Sequence, residues 1–207
     1  MTARRRPKQS RAQMTVDAIL DAVSRVIGEE GADAVTTNRV AAAAGVSIGT
    51  LYQYFANKQE IFNALHERNF ERRVMEIRWV IQSTEEQSLA RFLATVVDAI
   101  IAVRLEDPEL NRLLDATIPK RLDFLNRTHP LSRDFHAALV RRLPGADAVA
   151  VDRIAFVLSH MIESMAAAAA LWRPSTLTLD AARAATVDAL DAVVNRALRD
   201  LVHRSPR

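Results

Sequence analysis

A chain of 207 residues, 49% of them hydrophobic, carries enough apolar side chain for one large domain or for one small and one medium domain. It has no cysteine, which excludes disulfides and cysteine-based zinc sites. The formal charge of +3, from 28 basic and 25 acidic residues, is unevenly placed: Arg4, Arg5, Arg6, Lys8 and Arg11 lie in a stretch without a single acid. Such an arm suits a polyanion, because each neutralised phosphate releases counterions. No apolar segment follows the arm, so it does not read as a secretory leader. The longest apolar run, Met165 to Trp172, is far shorter than the roughly 18–20 residues of a membrane span. A cytoplasmic protein with no membrane partner is expected.

In chain order, Val16, Ile19, Leu20, Val23, Val26 and Ile27 recur at 3-4 spacing, which predicts a helix with one apolar face, ended by Gly28 and Gly31. A short helix over 37–44 follows. Thr36 or Thr37 is placed to cap it, and Gly45 supplies the left-handed residue that closes it. Its Val40, Ala41 and Ala44 give a small apolar face, which permits a close crossing with the next helix. That helix begins at Ser47 and runs to about Tyr54. Leu51 and Phe55 anchor it to a core, and Ile48, Gly49, Thr50, Tyr52, Gln53 and Tyr54 are left to face outward or sideways. Helix, tight turn and polar-tipped helix make a helix-turn-helix pattern. A longer helix is expected from Asn57-Lys58 towards Gln82, then helices near 86–105, 107–116, 131–142, 147–172 and 178–203, with prolines at the boundaries. No stretch alternates with period 2, so the fold class is all-α.

The segment Gly45-Val46-Ser47-Ile48-Gly49 fits the G-x-S-x-G pattern of a nucleophile elbow. That elbow requires a strand before the serine, and the preceding residues here form an alanine-rich helix. No acid–base or nucleophile constellation converges elsewhere, so an enzyme is not expected. A helical protein-interaction module is the alternative to a DNA-binding one.

The stretch AAAAGVSIGTLYQYFANKQEIF, residues 41–62, resembles the TetR family of transcriptional regulators. The resemblance covers roughly residues 11–65; beyond these, size and helical layout match. It implies an N-terminal three-helix DNA-binding domain over 1–57, including the basic arm, and a larger effector-binding and dimerisation domain over 58–207. It also implies a ligand-responsive regulator, a repressor released from a double-stranded operator by a small molecule. By matching position, Thr37, Tyr52, Tyr54 and Lys58 would meet phosphate, and Ile48, Gly49, Thr50 and Gln53 would form the recognition surface. Asn38 stands where many members carry Arg or Lys, and Arg39 beside it is available to replace that charge.

The last two helices are expected to build a homodimer. Between Ile154 and Trp172 only Ser159, His160, Glu163 and Ser164 are polar, and Ala166 to Ala170 lets backbones approach closely. Met165, Ala168, Trp172, Val194, Leu198 and Leu201 are the interface candidates for a four-helix bundle, an intramolecular hairpin being the alternative. The resemblance puts an effector pocket among the middle helices, with Phe92, Val96, Phe124, Phe156, His160 and Met161 as candidates and Trp79, Ile100 and Phe135 behind them. His160 and Glu163, three residues apart, could orient a polar ligand group or sit in the interface. No third ligand joins them, so neither a metal nor a cofactor is expected.

Overall fold

The structure, a computed structural model, describes residues 7–117 and 129–204. Among these there are nine α-helices and no strand: α1 (Pro7–Glu30), α2 (Thr37–Ala44), α3 (Ile48–Tyr54), α4 (Lys58–Ser83), α5 (Leu89–Leu105), α6 (Pro108–Thr117), α7 (Pro130–Arg142), α8 (Ala148–Ala167) and α9 (Leu179–Arg204). A π-helical turn, Ala168–Trp172, extends α8. The all-α reading of the sequence holds.

The chain divides into two compact units. The first comprises the described residues of Met1–Phe70 and Glu109–Pro119, and the second those of Glu71–Pro108 and Lys120–Arg207. The expected boundary at 57/58 differs from this division, which falls inside α4 and returns α6 to the first unit. The reason is packing. Ile61, Phe62 and Leu65 of α4 and Leu110 and Leu114 of α6 share one apolar cluster with α1, α2 and α3.

Local signals explain the element ends. α1 runs through Gly28 and does not end there. The turn is made at Gly31, whose φ of 86° lies in the left-handed region and whose N–H donates to Ile27 O at 3.0 Å. α4 starts at Lys58 because Asn57 Oδ1 accepts from Glu60 N at 3.0 Å while the Glu60 carboxylate accepts from Ala56 N at 2.7 Å. Ser88, Asp147 and Thr178 cap α5, α8 and α9 in the same manner. α7 is capped by His129, whose Nδ1 accepts from Leu131 N. Burial first, then the positive charges of Arg78 and Arg133, push the His129 pKa down, which keeps the imidazole neutral and its lone pair available.

In the second unit α5, α7, α8 and α9 surround Phe92, Leu93, Leu139, Leu158 and Leu190, with Ile77 and Ile81 of α4. By length and composition Ala148–Trp172 is apolar enough to cross a membrane. Counting uncharged runs missed this, because Asp152, Arg153 and Glu163 interrupt them. In this unit the buried face of α8, with Ile154, Leu158, Ile162 and Ala166, packs into the core.

Arg142 closes the end of α4. Its guanidinium donates to the backbone oxygens of Ala138, Gln87 and Thr84 and lies 4.1 Å from the centroid of the Phe92 ring. Burial lowers its pKa, but an arginine so placed stays protonated. Arg142→Ala therefore removes the side-chain donor shared by three carbonyls, although Thr84 O keeps its bond from Gln87 N. It should cost about 2–4 kcal/mol of stability, read as a fall in the urea midpoint, and Arg142→Lys should recover only part of the loss. An unchanged midpoint in the alanine variant would remove this role.

Candidate nucleic-acid interface

Three residues with special backbone or capping duties set the geometry of α2 and α3. Thr36 caps α2 by accepting from Arg39 N at 3.1 Å, so Thr37 is the threonine left free of capping. Gly45, at φ 69°, ends α2, and Val46 N then donates to Ala41 O at 3.0 Å. This left-handed ending satisfies the last carbonyls of α2 and turns the chain into α3 within two residues. Ser47 caps α3 through Thr50 N at 3.0 Å and contacts the Thr50 hydroxyl at 2.8 Å. Its hydroxyl is thus occupied in helix capping, which accounts for the G-x-S-x-G match.

Leu51 is fully buried and Phe55 nearly so. With these two inward, the rest of α3 faces solvent: Ile48, Gly49, Tyr52, Gln53 and Tyr54 are exposed and Thr50 is partly so. The Tyr52 hydroxyl lies 3.2 Å from Thr37 Oγ1, so side chains from α3 and from the first turn of α2 meet at one point. Two adjacent hydroxyls beside the free N–H groups at the start of a helix can bind a phosphate oxygen. Lys58, exposed at the start of α4, stands 5.2 Å from the Phe62 ring centroid.

Of the candidates Asn38 and Arg39 at α2, the second differs from expectation. Asn38 is exposed, but the Arg39 guanidinium is held by the Glu30 carboxylate at the end of α1, with Nε at 2.9 and 3.0 Å from the two oxygens. The hydrogen bond from Arg39 holds the Glu30 pKa below the usual carboxylate range, and the same bond raises that of Arg39. The pair thus persists on mild acidification. Arg39 is partly neutralised and does not simply replace the charge missing at Asn38. Spacing could not reveal this, because a partner nine residues away across a turn leaves no periodic signal. Arg4, Arg5 and Arg6 of the basic arm lie outside the described residues, as does the side chain of Lys8.

Among the described residues the effector candidates do not gather around one cavity. Phe92 and Val96 are core, with Phe92 stacked on Phe135 at 5.8 Å, and Ile100 is core as well. Met161 is partly buried against the same core. Trp79 is exposed. Phe156 is 64% exposed, its ring 4.3 Å from that of His160, and His160 bonds to the Phe156 carbonyl of its own helix. Glu163 is paired instead with Arg104 of α5. Phe124 lies outside the described residues. A cavity of about 490 Å³ opens between α7 and α8; of the pocket candidates named above, Phe156 and Phe135 line it. Its polar lining comprises Ser132, Arg133 and His136 of α7 and Asp152 and Ser159 of α8, none of them a pocket candidate from the sequence. The spacing of Arg133 and His136 on one helix face was the available signal.

Among the interface candidates, Ala168, Trp172 and Leu198 are exposed and Met165 is partly so. Val194 is only 5% exposed and belongs to the unit's own core. The side chain of Leu201 lies outside the described residues.

A short helix, a left-handed turn and a second helix held by two apolar anchors with polar tips outward define a helix-turn-helix protein. Residues 19–65 match the family model described as bacterial regulatory proteins, tetR family. Over these residues the chain is similar to that family. It is 32% identical over 111 residues to the nucleoid occlusion factor SlmA of Haemophilus ducreyi, a match spanning about half the length of each protein (52% of both). It is 27% identical over 155 residues to an uncharacterised HTH-type transcriptional regulator of Mycobacterium tuberculosis, covering 75% of this chain and 76% of that one. Among solved structures, a TetR-family transcriptional regulator from Streptomyces coelicolor superposes with a TM-score of 0.56 at 21% identity, over 88% of this chain and 99% of that one. RolR in complex with resorcinol superposes with a TM-score of 0.58 at 18% identity, over 96% and 98%. These likenesses show the fold.

If DNA docks on α2 and α3, the Glu30 carboxylate offsets one positive charge there. Glu30→Gln should then tighten binding to any duplex and steepen the dependence of log K on log salt by about one unit. Titration by fluorescence anisotropy at four salt concentrations measures both. A slope equal to that of the unaltered protein would show that Arg39 does not reach phosphate.

Proposed function

We propose that the protein is a ligand-responsive transcriptional regulator, rather than an enzyme, that binds a double-stranded DNA operator as a homodimer in the cytoplasm. It acts as a repressor released by a small molecule. The observation that carries the DNA reading is the joined Thr37–Tyr52 hydroxyl pair beside the exposed face of α3. In the proposed complex Thr37, Tyr52, Tyr54 and Lys58 position the protein on phosphates. Ile48, Gly49, Thr50 and Gln53 meet base edges, and α3 carries no charged side chain with which to grip guanine. Thymine methyls against Ile48 and the Thr50 methyl, and an amide bond from Gln53, are the contacts that its chemistry allows. The family supports the repressor and ligand-responsive parts of the reading, and RolR is a protein of the same fold seen with a small aromatic molecule bound.

A mobility-shift assay on the DNA upstream of the protein's own coding sequence tests the reading, and a binding-site selection refines it. Tyr52→Phe should weaken all sites alike by ~0.5–1.5 kcal/mol, the scale of one hydrogen bond. Gln53→Ala should change which bases are preferred. Altered preference in the first variant together with unaltered preference in the second would reverse these assignments.

The homodimer is proposed through Met165, Ala168, Trp172 and Leu198, with Val194 withdrawn because it serves the chain's own core. Ala168 is exposed in the single chain, so Ala168→Glu leaves the unit's own packing intact and places a charge in the proposed contact. Light scattering should show monomers at concentrations where the unaltered protein is dimeric, a penalty of about 3 kcal/mol or more. A dimeric Ala168→Glu variant would place the contact elsewhere.

A further inference from the structure

We propose that the cavity between α7 and α8 binds an aromatic monocarboxylate. Its volume of about 490 Å³ falls in the range of small-molecule sites. Two aromatic side chains form its apolar part. Phe135 is almost wholly buried and fixed by its stack on Phe92, so it serves as a rigid floor. Phe156 is 64% exposed and held by its contact with His160, so it presents a face on which a planar ring can stack.

The polar part selects charge. His136 Nε2 stands 2.9 Å from Asp152 Oδ1. An ionised carboxylate only accepts, so the imidazole must donate from Nε2, and Asp152 is occupied. Arg133 has no ion-pair partner among the described residues, whereas Arg78, the other arginine whose charge acts on His129, is paired with Asp134. The unspent charge at the cavity is therefore the Arg133 guanidinium, whose planar fork matches a carboxylate. A cation would meet that charge directly. A dianion would carry its second charge towards Asp152. One planar negative group on an aromatic ring satisfies both walls.

This deepens the ligand-responsive reading and rests on it only for the consequence at DNA. The test uses the full chain without DNA and three probes: 2-naphthoate, its neutral analogue 2-naphthalenemethanol, and acetate. Calorimetric titration should give one saturable 2-naphthoate site per chain, with the alcohol bound about tenfold or more weakly and acetate not detectably. Arg133→Gln should bring 2-naphthoate down to the level of the alcohol. Phe156→Ala should weaken both. Both side chains are exposed, so thermal melts of the variants should match that of the unaltered protein. The proposal fails if the acid and the alcohol bind alike, if Arg133→Gln leaves the acid unaffected, or if no probe saturates. A mobility shift with 2-naphthoate present is read separately. Saturable binding without DNA release keeps the site and removes the ligand-responsive reading. DNA release by 2-naphthoate that Arg133→Gln leaves unchanged removes the site and keeps that reading.

Discussion

A helix of seven residues does not hold itself together in water, because nucleation costs more than so few hydrogen bonds return. α3 exists because Leu51 and Phe55 sink into the cluster formed by α1, α2, α4 and α6. Everything proposed for the first unit depends on that burial. It orients the remaining side chains of α3 outward, and the left-handed Gly45 sets the direction from which they emerge. The small residues of α2 matter for the same reason: Val40 and Ala41 are buried, and bulkier side chains there would push α3 off its seat.

The electrostatics of this unit follow a consistent plan. α3 carries no charge, and two arginines near it serve as internal ties. Arg39 holds Glu30, and Arg25 donates to the carbonyl of Ala43 near the end of α2. Both fasten α2 to α1 and reinforce the platform on which α3 sits. In the proposed complex, contacts by hydroxyls, methyls and one amide are individually modest. Affinity then has to come from the number of contacts. Two half-sites engaged by a dimer, with cations supplied from Lys58 and the arm, meet that requirement better than a single copy would.

The helix-turn-helix was legible because its signals are local. A cap, a glycine and apolar residues at i and i+4 each act within one turn of helix, and Thr36, Gly45, Ser47, Leu51 and Phe55 all behave as their spacing suggests. The division of the chain was not legible at 57. Periodicity shows which face of a helix is apolar but not which core receives it, and Leu110 and Leu114 could have belonged to either. The same limit explains Gly28. A glycine inside a helix looks like a terminator, yet two more residues keep helical geometry before Gly31 makes the turn. Aromatic and apolar residues on the middle helices are mostly core in this unit. Phe92 and Val96 are close-packed and leave no wall for a ligand without repacking.

Space in the second unit arises instead where polar side chains keep two helices from interdigitating. α7 and α8 pack through Leu131, Phe135, Ala138 and Leu139 on one side and Val151, Ile154 and Leu158 on the other. Beside that seam the two helices are bridged by His136 and Asp152, whose contact is a directed hydrogen bond rather than a close-packed surface. A hydrogen bond fixes a separation but fills little volume, so solvent-accessible space remains next to it. Replacing the pair by two leucines would pack the seam and close the gap. Retaining the pair gives up dispersion contacts and leaves a walled space with defined donors and acceptors. The half-buried Arg104–Glu163 pair differs in kind: it joins α5 to α8 by a direct ion pair. Polar groups thus serve the second unit in two ways, as an internal tie between α5 and α8 and as a spacer that keeps α7 and α8 open.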